Sequence, residues 1–177
     1  MNNDKRPTVA IIGGGFCGIM TAIHLHEMAG DHLHSILIFN DGEPGKGPAY
    51  STTSEAMLLN VQARNMSAYP DDPDHFVRWL EQRHPELANQ TEDIRHAYVP
   101  RKWYGEYMEE QATRLMEHSS ICSIQMIRKK AVGLKYKNGR FVLTTGDAEY
   151  NADQVVLATG NQLPSKPKGI PATFAGS

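Results

Sequence analysis

Hydrophobic positions in the first forty residues come as short unbroken runs, not alternating ones. After a polar tail over residues 1–7, Thr8 to Ile12 reads Thr-Val-Ala-Ile-Ile, the pattern of a strand buried on both faces. Glycines follow at once. Phe16, Ile19, Met20 and Ile23 then recur at helical spacing, predicting a helix from Cys17 to Met28 that stops near Gly30. Ser35 to Phe39 is a second unbroken apolar run. Strand, helix and strand within about 30 residues make a βαβ unit, which implies parallel strands and a right-handed crossover.

The middle of the chain is less regular. Residues 40–54, rich in Gly, Pro, Ser and Thr, read as loop, and Met57 to Val61 is an apolar run of ambiguous type. Asp71-Asp72-Pro73 ahead of Phe76, Val77 and Leu80 predicts a helix with an Asp cap and Pro in its first turn, ended by Pro85. Pro100 opens another, with Tyr104, Tyr107, Met108, Ala112 and Leu115 on one face and its end near His118. Beyond it the period changes. Residues 121–127, 131–137 and 140–145 alternate apolar and polar, and Asn138-Gly139 between the last two is a hairpin signal that needs positive φ. These three strands predict an antiparallel meander. Val155 to Ala158 is unbroken again and ends in Thr159-Gly160, after which Pro164, Pro167, Gly169 and Pro171 interrupt every pattern. The predicted fold is α/β: one domain over residues 8–164, a parallel sheet with a helix crossover and a three-stranded antiparallel β-meander, followed by a tail or linker over 165–177.

Composition narrows the partners. The 177 residues are 40% hydrophobic and 21% charged, ordinary for a globular domain and unlike a disordered chain. Lys and Arg number 18 against 20 Asp and Glu, so no basic field invites nucleic acid. The two cysteines, Cys17 and Cys122, make no disulfide framework and point to a reducing compartment. The first apolar run is too short for a signal sequence or a membrane span, so a soluble, cytoplasmic protein without a membrane partner is expected.

The main chemical signal is Gly13-Gly14-Gly15-Phe16-Cys17-Gly18, a Gly-x-Gly-x-x-Gly run with a strand directly before it and a helix directly after. Gly13 permits the tight turn, Gly15 lets backbone approach a diphosphate, and Gly18 lets the helix pack closely on the sheet. The phosphates would meet free N–H groups at the positive end of the helix. The pattern also expects an acid at the end of the second strand to bind ribose. Asn40 stands there, uncharged, and Asp41 follows it; both also suit the capping of a turn. No Arg follows closely to favour a 2′-phosphate, and Lys46 is the nearest cation.

Several blocks together resemble a family. The order of glycine motif, meander and Ala158-Thr159-Gly160 is similar to the two-dinucleotide-fold flavoproteins. More closely, Gly45-Lys46-Gly47-Pro48-Ala49-Tyr50-Ser51, Leu58-Leu59-Asn60-Val61, Val99-Pro100-Arg101-Lys102-Trp103-Tyr104-Gly105-Glu106-Tyr107 and Ala158-Thr159-Gly160-Asn161 resemble bacterial FAD-NAD(P)-binding proteins, related to flavin-dependent N-hydroxylating monooxygenases. The resemblance covers residues 8 to 164 and implies a Rossmann-like domain with FAD at the glycine motif. It implies that Gly13, Gly15 and Gly18 hold the diphosphate and that Asn40 or Asp41 holds the adenosine ribose. It further implies that the backbone of Val132 meets adenine, and that Thr159 and Gly160 line the adenosine side. NAD(P)H as hydride donor is implied in the same way. Such proteins are longer, with a second domain, so the chain is expected to be the front part of a flavoprotein. Two alternatives remain open: an NAD(P)-binding module without flavin, and a non-enzymatic domain that keeps the fold.

Other groups weigh less. His24-Leu25-His26 and His32-Leu33-His34 resemble a metal cluster, yet residues two apart on a helix point to different faces, and no metal site is expected. Cys17 at a helix start lacks a partner cysteine, so packing against the sheet is the better reading than disulfide chemistry. Arg101 is balanced between a phosphate or carboxylate ligand and a surface residue. Tyr104 and Tyr107 read as core, and Asn60 as a partner of either flavin or backbone. No catalytic acid, base or triad stands out.

Overall fold

The computed structural model describes residues 6–89, 91–117 and 121–161; residues 1–5 of the polar tail, His118 and the predicted tail over 165–177 lie outside them. A four-stranded parallel sheet has the order β3-β2-β1-β7, with β1 Thr8–Ile12, β2 Ser35–Phe39, β3 Ser123–Ile127 and β7 Gln154–Leu157. Helix α1 (Phe16–Ala29) joins β1 to β2 as expected. The unbroken runs have a simple cause: the sheet is covered on both faces. Val9, Ile11, Ile36 and Ile38 pack with Ile19, Ala22 and Ile23 of α1, while Ala10, Leu37 and Phe39 face the meander.

That meander is β4 (Gly133–Lys137), β5 (Arg140–Thr144) and β6 (Glu149–Ala152). Its first turn is as read, with Asn138 at φ 52° and Gly139 at φ 80°. Its membership is not. The run 121–127 belongs instead to the parallel sheet as edge strand β3, whose outer side is solvated and therefore alternates. The third meander strand is β6, which lacks an apolar run; Tyr150 sets its ring edge-on to Phe39 at 5.2 Å, and Ala152 is buried. Strand β7 is also an edge, so it is not buried on both faces: Leu157 is 66% exposed. At the corner between the sheets, Asp153 accepts the Thr8 N–H at 2.8 Å and pairs with Arg140 at 2.9 Å, and its own N–H donates to the Thr8 carbonyl.

The helical side carries further differences. The 40–54 loop contains a single helical turn, α2 (Gly47–Tyr50). Helix α3 (His75–Arg83) is preceded by Asp74 at the cap position, whose side chain pairs with Arg95 instead of capping the helix, and Pro73 lies ahead of the helix, not in its first turn. Asp72 is used elsewhere, pairing with Arg78. The helix ends before Pro85, as expected, and α4 (Arg101–Glu117) begins directly after Pro100. The ambiguous run resolves into an isolated bridge between Leu58 and Pro100, with Leu59 alone buried. Among the described residues, no helix is long and apolar enough to cross a membrane.

Tyr104 and Tyr107 are core, packed against Phe76 at 5.1 and 4.9 Å. The Tyr107 hydroxyl accepts the Ala68 N–H at 3.1 Å and stands 2.8 Å from His75 Nδ1. The direction of that second bond follows the His75 tautomer, since a phenol oxygen can donate one hydrogen bond and accept two. Burial drives the Tyr107 pKa up and the His75 pKa down. Tyr107→Phe leaves two groups unpartnered and is expected to destabilise by about 1–3 kcal/mol in urea denaturation. Because His75 takes up its proton more readily unfolded, its contribution to stability falls as pH drops below about 6.5. His75→Asn, which keeps an acceptor for Tyr107, should flatten the pH dependence of the melting temperature in that range.

Candidate functional site

Three chain segments converge at the carboxyl end of the sheet. The Gly13 N–H donates to Phe39 O at the end of β2 (2.9 Å), and the Ala158 N–H donates to Ile12 O (2.8 Å). Gly13 sits at φ 104°, and a Cβ there would lie 2.1 Å from the Ala158 carbonyl oxygen. One turn into α1, a Cβ on Gly18 would fall 1.8 Å from the Gly13 carbonyl oxygen. Side chains are excluded at both positions, which is why the turn is glycine and why α1 starts against the sheet.

A cavity of about 700 Å³ opens at this turn. Its lining gathers Gly13, Gly14, Gly15, Asn40, Asp41, Lys46, Thr159 and Gly160, all of them expected. Four expected residues lie outside the lining. Phe16 packs with Tyr50 and Tyr104, each ring 6.1 Å away. Gly18 serves close packing instead of the cavity. Cys17 is exposed, not packed against the sheet, because its position on α1 faces away from the strands. Val132 is 67% exposed and its N–H is taken by Thr144 O at 2.8 Å; its neighbours Lys130 and Ala131 line the cavity instead. Sequence reading also missed the wall formed by Gly42, Glu43, Gly47, Pro48 and Ser51. The Gly45–Ser51 block held that signal, but no spacing tied it to the glycine turn.

Asn40 Oδ1 accepts the Gly14 N–H at 3.3 Å and its Nδ2 donates to Gly42 O at 2.8 Å, so both ends brace backbone. Asp41, next along, is exposed and lines the cavity. Lys46 Nζ lies 3.0 Å from Glu43 and 2.9 Å from Glu109. Burial pulls its pKa down, but hydrogen bonds to Glu109 and Glu43 and their charges carry it above the usual lysine value.

Arg101 donates from Nε to Leu58 O at 3.0 Å, outside the lining, as is the exposed Asn60. His24 pairs with Glu27, and His26 Nδ1 sits 3.5 Å from Cys122 Sγ. No group of three metal-ligating side chains gathers among the described residues. A shallower groove of about 880 Å³ lies beside His24, Glu27 and His75, away from the glycine turn.

With this geometry goes a family match: residues 10–162 fit the model described as FAD-NAD(P)-binding. The chain belongs to the FAD-NAD(P)-binding family. No curated protein matches it. Among solved structures, NADP+-bound cyclohexanone monooxygenase from Rhodococcus sp. Phi1 superposes with a TM-score of 0.60 at 17% identity, over 92% of this chain and 28% of its own. Bacillithiol disulfide reductase from Staphylococcus aureus gives 0.56 at 19%, over 93% and 43%. At such identities the likeness is one of fold. This chain spans less than half the length of either protein.

The residues of this FAD-NAD(P)-binding domain fit a dinucleotide. The cavity lies in the usual size range for a cofactor site, roughly 300–1,000 Å³. Its floor has no side chain at 13, 14 or 15, and the first N–H groups of α1 lack intrahelical partners, so backbone can meet a diphosphate. Gly15→Ala separates binding from folding: φ there is unstrained and the methyl would sit 3.3 Å from Gly47 Cα. It should melt within a few degrees of wild type, about 1 kcal/mol or less, while dinucleotide affinity falls roughly tenfold in a calorimetric titration. Gly13→Ala, with its 2.1 Å clash, should lose about 3 kcal/mol or more of folding stability.

Proposed function

We propose that this chain is the FAD-binding part of a flavin-dependent oxidoreductase that uses NAD(P)H. The observation that carries the reading is the single cavity shared by the glycine turn, Asp41 and Thr159-Gly160 in a chain of this family. The N–H groups at the start of α1 receive the diphosphate, with the positive end of the helix dipole behind them. Asp41 accepts hydrogen bonds from the adenosine ribose hydroxyls. Asn40 holds the glycine turn and Gly42 at fixed separation, so the ribose role passes one residue along. Gly160, at φ 69°, turns the chain away beside the adenosine. When bound, FAD supplies hydride-accepting chemistry toward NAD(P)H; this domain supplies binding and orientation.

The test is spectroscopic. Purified or FAD-reconstituted protein should show bound-flavin absorption, and FAD should raise the melting temperature. Asp41→Ala should weaken FAD binding about tenfold by fluorescence titration, the loss expected for a charge-assisted hydrogen bond. A colourless protein whose melting temperature rises with NAD+ and not with FAD would favour the module without flavin. No response to either ligand would favour a domain that keeps the fold alone.

A further inference from the structure

One wall of the cavity is held from outside it. Residues 42–51 form that wall through Gly42, Glu43, Lys46, Gly47, Pro48 and Ser51. The Gly45 N–H donates to Gly14 O at 2.8 Å, which docks the wall on the glycine turn. On its other side Gly45 approaches α4 so closely that a Cβ would fall 2.6 Å from the Met108 carbonyl oxygen. Beside that contact Lys46 Nζ spans Glu43 of the wall and Glu109 of α4, at 3.0 and 2.9 Å. The Lys46 side chain is only 15% exposed, so this pair is less screened than a surface one. Glu109 itself does not line the cavity.

Two carboxylates share the one Lys46 charge, so Lys46 has little left to offer a phosphate. We propose that Glu109 is a positioning residue: through Lys46 it fixes the 42–51 wall at the separation from the glycine turn that a bound dinucleotide needs. The proposal rests on the dinucleotide reading above. Loss of Glu109 leaves Lys46 paired within its own loop, and the wall loses its charged tie to α4.

Glu109→Gln, Lys46→Met, Lys46→Arg and the Glu109→Gln/Lys46→Met double variant test this, read by FAD affinity and by hydrogen exchange of residues 42–51 in protein without FAD. Glu106→Gln, one turn earlier on α4 and paired with Lys102, is the control for helix charge. Glu109→Gln and Lys46→Met should each weaken FAD binding roughly three- to tenfold, and the double variant should be no worse than the weaker single, as coupled partners require. Lys46→Arg should restore affinity, Glu106→Gln should not alter it, and exchange over 42–51 should quicken in Glu109→Gln. Unchanged exchange, unchanged affinity, additive losses or an equal loss in Glu106→Gln would each overturn the proposal. Quickened exchange in a protein whose wild type binds neither FAD nor NAD+ would fail the dinucleotide reading and the positioning role with it, while leaving the tie itself standing.

Discussion

Everything at the carboxyl edge of the sheet depends on how closely three strand ends approach at Gly13. Its N–H binds the end of β2, and the Ala158 carbonyl, just past β7, occupies the space a side chain would need. Gly18 then closes on the Gly13 carbonyl from the helix side. This crowding is steric, so no compensating contact elsewhere relieves it. It sets Gly13, Gly14 and Gly15, directly ahead of α1, in the cavity lining.

The rest of the structure keeps that edge rigid. Two faces of apolar packing trap β1 and β2, and Asp153 binds the meander to the first residue of β1, so the two sheets share one corner. Asn40 and the Gly45 N–H do the equivalent work at the cavity, linking the glycine turn to the loop after β2. Polar side chains here are spent on backbone. In the proposed reading, recognition is left to main-chain N–H groups, to Asp41 and to the helix dipole.

What was legible in the sequence was local. The runs of β1 and β2, the helix between them, the Asn138-Gly139 turn and the glycine motif follow from side-chain branching and backbone sterics, which a few residues determine. What was illegible depended on partners far along the chain. Alternation in Ser123–Ile127 is equally good for a meander strand and for a parallel edge strand, and only the neighbour decides. Glu149–Ala152 forms β6 because β5 offers it a ladder and Phe39 a ring. At the site, Gly13–Gly15, Asn40 and Asp41 were readable from motif spacing, and Thr159-Gly160 from the family resemblance. Lys130, Ala131 and Glu109 carry no motif and meet the site only through folding.

The pairing of β1 with β7 has a consequence for biosynthesis. Thr8 and Asp153, bonded in the native protein, are 145 residues apart in sequence. On a ribosome adding roughly 5–20 residues per second, β1 and β2 emerge many seconds before the strand that completes their sheet. During that interval their apolar faces and unpaired edge await a partner still being translated. Such delayed closure leaves that surface open to aggregation until the last strand is made.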